Sequence, residues 1–377
     1  MDEKEVFKMI SRRGFVLSQA SFCIFGGGLA SSAHGGPHSF PGQLLISGFR
    51  GTIPADPEVD QVRRHIERGD VAGIMLLKRN IKSPEQLYRL TSSLQEASPD
   101  LPIIISIDQE GGHVTRVGPY NGFMSWMSAE TLSKSGRSSE EILGYYTERA
   151  RELAEVGVNL NLGPVVDLNV NPFNPIIGSK GRAFGRSVDD VLRFAELFIQ
   201  AHRSVGVKTC LKHFPGHGSS FEDSHKGSVD ISQTWRPEEI APFERLVRVG
   251  LADSIMNSHV LHKYLSDEPW LPTSLSKRSV TEMREGLEFE GPVITDDMQM
   301  AAITDLFPST GASVAAVQAG NTLLIYSNYK DQYSIHSIAE VNQSLQSAII
   351  EGVLSPDIIA ERATVARKFR ATLVSSH

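Results

Sequence analysis

The stretch "VKTCLKHFPGHGSSFEDSH", residues 207–225, changes character partway along. Its first seven residues are mostly apolar or β-favouring, which suits a buried strand. "FPGHG" then ends any regular element, because proline lacks a donor and glycine is conformationally loose. Two histidines and a lysine crowd that break, so it is a metal site, an active-site loop or a polar turn. Whether the same break from strand to loop recurs along the chain decides the fold.

It recurs. Short apolar runs stand at 44–49 (LLISGF), 71–77 (VAGIMLL), 102–108 (PIIISID), 158–167 (VNLNLGPVVD), 207–213, 254–260 (SIMNSHV), 291–297 (GPVITDD) and 322–327 (TLLIYS). Between most of them lie amphipathic segments such as "PEVDQVRRHIERG" and "VDDVLRFAELFIQAHRSVG", opening on Pro, Ser or Asp and closing on Gly as helix caps do. Nearly continuous apolar strands alternating with helices predict a parallel sheet covered on both faces. Eight units predict a closed (β/α)8 TIM-type barrel, with an open doubly wound sheet as the alternative. No G-x-G-x-x-G follows the first strand, and no repeat or low-complexity linker marks a second domain. The expectation is an α/β fold with a single barrel over residues 34–377 and no C-terminal α/β sandwich domain.

Residues 1–33 have a different layout. "SRRGFVL" (11–17) places Arg12 and Arg13 before a short apolar run, and small residues lead to Ala33. That predicts an export signal of the twin-arginine type, and hence a periplasmic or extracellular protein; without such a signal the protein would be cytoplasmic. The net charge of -7, with no basic run, argues against nucleic acid as a partner. No stretch approaches the roughly 20 apolar residues of a membrane span. Cys23 falls in the leader, so Cys210 alone remains afterwards and an intrachain disulfide is excluded. Oligomeric state is not legible here.

The long segments follow the predicted strands three to six, at 109–138, 168–186, 214–236 and 261–275. In barrels the site is built by the loops after the strands. Polar groups at those strand ends are Asp108, Asp167, Lys212, His213, His259, Asp296 and Asp297. His213, His217 and His225 could in principle gather zinc, but they sit in a Gly/Pro loop rather than on one helical face. Alternatively, Asp223 stands two residues before His225, where its carboxylate can orient the ring, unless "DSH" is only an Asx turn. Alternation along a strand predicts that Asp296 and Asp297 do not enter the barrel mouth in the same way.

Taken together, "ISGFRGT", "IDQEGGHVTRV", "LGPVVDLNVNPFNPIIGSKGRAFG", "KHFPGHGSSFEDSH" and "VITDDMQMAAI" resemble the glycoside hydrolase family 3 barrel, in its β-N-acetylglucosaminidase (NagZ-type) branch. The resemblance implies retaining, exo-acting hydrolysis of terminal N-acetylglucosamine from small glycans, such as peptidoglycan fragments or chitin oligomers, without cofactor or metal. It implies Asp296 as nucleophile, His225 as general acid/base and Asp223 as its partner. Asp108, Arg116, Arg182, Lys212 and His213 fall at the positions that hold the sugar. It also implies that "FPGHG" is a flexible arm delivering Asp223 and His225. The chain departs from the pattern at Thr322, where an acidic residue is usual, and in extra residues before Arg182. A family 3 β-glucosidase or β-xylosidase and a metal-dependent barrel hydrolase are the alternatives.

Overall fold

In the structure, a computed structural model, residues 41–307, 311–335 and 337–374 are described. The predicted export signal lies outside these residues. Eight strands close into a barrel: β1 Leu45–Gly48, β2 Gly73–Leu76, β3 Ile104–Ile107, β4 Leu160–Asn161, β5 Lys208–Phe214, β6 Ser254–Asn257, β7 Val293–Asp297 and β8 Leu323–Tyr326. Neighbours pair in parallel all the way round, and β1 closes on β8 with Leu45 opposite Leu324. The open-sheet alternative is thereby excluded.

Alternation of side chains across each strand divides the apolar residues into two shells. Ile46, Met75, Ile104, Leu160, Cys210, Met256, Ile294 and Leu323 point inward and fill the barrel. Their neighbours face the helices, chiefly α1 Pro57–Glu67, α2 Pro84–Gln95, α3 Ser139–Glu155, α4 Val188–Ser204 and α5 Ala241–Arg248. Ser83, Ser138 and Ser187 cap α2, α3 and α4 by accepting from backbone N–H groups in the first turn. The ring continues through α6 Lys277–Thr281, α7 Gly311–Ala319 and α8 Ser337–Ile350. The last helix, α9 Pro356–Arg370, packs Ala366 and Phe369 against the barrel interior. Arg370 fixes it there, donating to the carbonyls of Pro102 at 2.8 Å and Leu101 at 3.1 Å. That end of the barrel is sealed, so ligands enter from the other.

β4 is shorter than the predicted run of 158–167. Pro164 has no donor for a continued ladder, and only an isolated bridge from Val165 to Lys212 follows. Asparagine side chains replace the missing backbone bonds. Asn159 accepts from Ile105 N at 2.7 Å, and Asn161 accepts from Gln109 N at 3.0 Å while donating to Gln109 O at 2.9 Å. Asn161 also reaches Nε2 of buried His202, whose Nδ1–H donates to Phe198 O. Burial pulls His202 down to about 4, so this ring stays neutral.

Phe198 sits at the α3–α4 seam, edge-on to Tyr146 at 5.0 Å and stacked on His202 at 4.0 Å. Phe198→Ala is therefore expected to cost about 3–5 kcal/mol of stability, the usual toll of a buried phenyl cavity. Urea unfolding measures it, and a loss below about 1 kcal/mol would mean the seam is not the packed core described.

Candidate active site

At the open end, β5 and the loops after β3 and β4 bring four charges into contact. Lys212, 2% exposed, donates to Asp108 at 2.7 Å and lies 2.6 Å from a Glu110 oxygen. Arg182 grips both oxygens of Glu110 at 2.7 Å and donates to Ile176 O at 2.9 Å. Burial opposes ionisation of Glu110, but Arg182 and Lys212 outweigh it and hold the carboxyl far below its usual range. Burial likewise disfavours the Lys212 ammonium, yet Asp108 and Glu110 leave it raised. An ammonium has three donors, so the one beyond these two carboxylates remains for a ligand. Arg116 touches Asp108 only at 3.5 Å, and its Nε is buried without a partner among the described residues.

A second cluster hangs on Asp167, fully buried after β4. Its oxygens accept from His213 N at 3.2 Å, His213 Nδ1–H at 2.7 Å and His217 N at 2.8 Å. A carboxylate can only accept, so Nδ1 of His213 carries the proton. Nε2 then turns toward Arg182, 3.4 Å away. Burial would raise the Asp167 pKa, but His213 more than offsets it and the carboxyl ends below its ordinary value.

The loop after β5 does not behave as the expected flexible arm along its whole length. His217 is buried, with Nδ1 at 2.9 Å from Ser220 Oγ and Nε2 at 3.2 Å from Ser224 Oγ. Burial, and then His213, pull it down to about 4. Gly218 lies so close to the neighbouring loop that a Cβ there would meet Leu168 O at 1.7 Å. Asn171 donates to Ser220 O at 2.8 Å, and Asn174 donates to His217 O at 2.7 Å. Residues 214–220 are thus clamped, and buried Ser224 is held again by His217 and by Ala302 N, which donates to its carbonyl at 3.3 Å, so that Phe221, Glu222 and His225 stand out around that hold. There Asp223 Oδ1 accepts from both His225 N and His225 Nδ1–H at 2.9 Å, leaving Nε2 free of Asp223. The His225 side chain is 53% exposed.

Opposite, at the end of β7, the neighbouring aspartates diverge. Burial disfavours the Asp296 carboxylate, but His213, His259 and His225 win and lower it to about 2. Asp297 is raised to about 6 by burial, which its hydrogen bonds from Ser327 only partly offset. Asp297 is thus held from the wall, as alternation predicts, although its edge also borders the cavity. His259 donates to Asp297 O at 3.0 Å and accepts from Ser274 Oγ at 2.6 Å.

Asp108, Arg116, Arg182, Lys212, His213, Asp223, His225 and Asp296 all border one cavity of about 510 Å³. The three histidines weighed as zinc ligands do not converge. Both nitrogens of His217 face serine hydroxyls, and His225 is held by Asp223 on the outer loop. Glu110 was not among the expected site residues. Its signal was present, since two residues beyond Asp108 returns to the same side of an extended chain. At Thr322 the hydroxyl accepts from Arg284 at 3.3 Å, and burial lowers that guanidinium to about 10. This departure from the pattern lies behind β8, away from the cavity.

A (β/α)8 barrel whose mouth sets an ionised carboxylate against an Asp–His dyad, with a charged cradle between, has the build of a glycoside hydrolase. Residues 42–363 match the family model described as "Glycosyl hydrolase family 3 N terminal domain". The chain belongs to glycosyl hydrolase family 3. It is 33% identical over 294 residues to a beta-hexosaminidase of Xylella fastidiosa, covering 74% of this chain and 81% of that protein. Beta-hexosaminidase A of Pseudoalteromonas piscicida is 30% identical over 295 residues, but the match spans only 47% of its length and 71% of this chain. A family 3 β-N-acetylglucosaminidase from Paenibacillus sp. superposes with a TM-score of 0.80 at 30% identity, over 90% of this chain and 64% of that one.

The charge cluster makes a measurable claim. Glu110→Gln leaves two buried cations with one carboxylate, and breaking such a pair costs about 3–5 kcal/mol. Because the folded pKa of Glu110 is depressed, its stabilisation is present above the unfolded value of about 4.3 and fades as pH falls through the folded one. Urea titrations should therefore show the gap between wild type and variant wide at pH 7 and narrowing below about pH 4. A gap independent of pH would mean that Glu110 acts by shape rather than charge.

Proposed function

We propose that this protein is a retaining exo-β-N-acetylglucosaminidase that removes terminal N-acetylglucosamine from small glycans such as peptidoglycan fragments or chitin oligomers. The observation that carries this reading is the pairing of an anionic Asp296 in the cavity with the exposed Asp223–His225 dyad at its rim. Asp296 attacks the anomeric carbon, and His225, its Nδ1–H held by Asp223, protonates the departing oxygen through Nε2. A glycosyl ester forms on Asp296. Water then attacks the same carbon from the vacated side, giving its proton to His225, and Asp296 leaves as carboxylate.

The remaining Lys212 donor, the loosely held Arg116, Arg182 and His213 are the groups that would bind the sugar hydroxyls, with Asp108 accepting. The names of the relatives support the acetamido sugar. Initial rates on paired nitrophenyl β-glycosides, with and without the 2-acetamido group, test it. Faster turnover of the glucoside or xyloside would favour the family's other activity.

The acid/base role predicts a dependence on leaving group. A nitrophenolate departs with little help, whereas a sugar alcohol needs the proton, and general acids contribute about 10²- to 10⁴-fold. His225→Ala should therefore lose that much kcat/KM on a disaccharide, and far less in the first step on a nitrophenyl glycoside. Asp223→Ala should show a milder form of the same split. Equal losses on both substrates would reduce the dyad to a structural turn.

We also propose export through the twin-arginine signal at Arg12 and Arg13. Replacing both with lysine should hold the protein in the cytoplasm of a bacterial host, whereas the exported wild type should begin near His34. Export of the double variant at the wild-type level would remove this reading.

A further inference from the structure

Phe173 and Phe221 are the most exposed aromatic rings among the described residues, at 87% and 71%. Phenylalanine has no polar tip to justify such a position, unlike an exposed tyrosine. The two stand on different loops that are fastened together. Asn171 N donates to Gly218 O at 3.0 Å, Asn171 Nδ2 donates to Ser220 O beside Phe221, and its Oδ1 accepts from Phe173 N at 3.0 Å. Phe221 lies two residues before Asp223, and Phe173 two before Pro175; Asp223 and Pro175 both line the cavity. The loops that bear the rings therefore meet beside the part of the rim that carries His225, with the rings themselves outside the lining of the cavity.

We propose that Phe173 and Phe221 form the binding site for the leaving group, and that its occupant is a pyranose ring whose apolar C–H face lies on the phenyl groups. This rests on the glycosidase reading above. There the proton donor stands next to the departing oxygen, so whatever that oxygen carries must lie on the His225 side of the rim. A surface with no hydrogen-bonding group favours the C–H face of a sugar, while its hydroxyls remain in water. Contact with an aromatic face also selects a cyclic aglycone over a small one, without dictating which hydroxyls it bears.

The test compares three N-acetylglucosaminides: a β-linked disaccharide, the β-azide, whose leaving group is too small to reach the rings, and an umbelliferyl glycoside. Phe173→Ala and Phe221→Ala should each lower the ratio of kcat/KM for disaccharide over azide by about 3- to 10-fold, mostly through KM. Phe221→Tyr should restore the ratio. An unchanged ratio overturns the proposal. So does a fall confined to the umbelliferyl glycoside, which would make the occupant a flat apolar group. Wild-type cleavage of the azide but not the disaccharide also overturns it while leaving the glycosidase reading intact. Cleavage of neither overturns that reading, and this one with it.

Discussion

The site depends on a buried balance of charge. Lys212 and Arg182 face Asp108 and Glu110 with almost no water among them, since Lys212 and Arg182 are 2% and 9% exposed. Desolvating four charges is expensive, and only close mutual pairing makes it tolerable. Such pairing is intolerant of geometry. Lys212 comes from β5, Asp108 and Glu110 follow β3, and Arg182 comes from the loop after β4. Each strand end must be in place before the others are stable. The outcome is a rigid cradle whose unused donors are already desolvated and aimed at one cavity, so little reorganisation remains when a polar ligand arrives.

Asp167 extends that rigidity one loop further. By accepting from two backbone N–H groups and the His213 ring, it fixes the start of the loop after β5 to the loop after β4. The clamp is dense up to Ser220 and takes hold once more at buried Ser224. Around that last hold Asp223 and His225 bond to each other, and the His225 side chain stands half exposed. Groups proposed to bind the sugar are therefore set in the core of the barrel mouth, and the group proposed to move protons is set at its edge. A residue that must serve both the leaving oxygen and an incoming water benefits from that freedom.

Much of this was legible in the sequence because it follows from period and punctuation. Seven of the eight strands fall within the predicted apolar runs and β5 runs one residue past its own, to Phe214, and a polar residue at the end of such a run must lie at the barrel mouth. The shortening of β4 was less visible. Pro164 announced a break, but the takeover by Asn159 and Asn161 depends on distances to β3 that no local pattern encodes. "FPGHG" misled for a related reason. Glycine is read as freedom, yet Gly218 is there because Leu168 leaves no room for a side chain. Glu110 was less visible because it lies in the loop beyond the strand end, and its two cations come from β5 and the loop after β4.

The neighbouring aspartates of β7 show how one backbone supplies two chemical states. Both carboxyls suffer from burial, and each would discourage ionisation of the other. The conflict is resolved by what surrounds them. Burial works against the Asp296 carboxylate, but the nearby imidazoles of His213, His259 and His225 outweigh it and lower it to about 2. Asp297 has mainly neutral donors, the hydroxyl and N–H of Ser327 and the N–H of Gln299, and is raised to about 6. The order follows the surroundings, because imidazoles lie near Asp296 whereas the Asp297 carboxyl is held by hydrogen bonds that only partly offset its burial. The carboxylate proposed to attack is thus the one held anionic near the imidazoles, while its neighbour is tied by hydrogen bonds to Ser327 and Gln299.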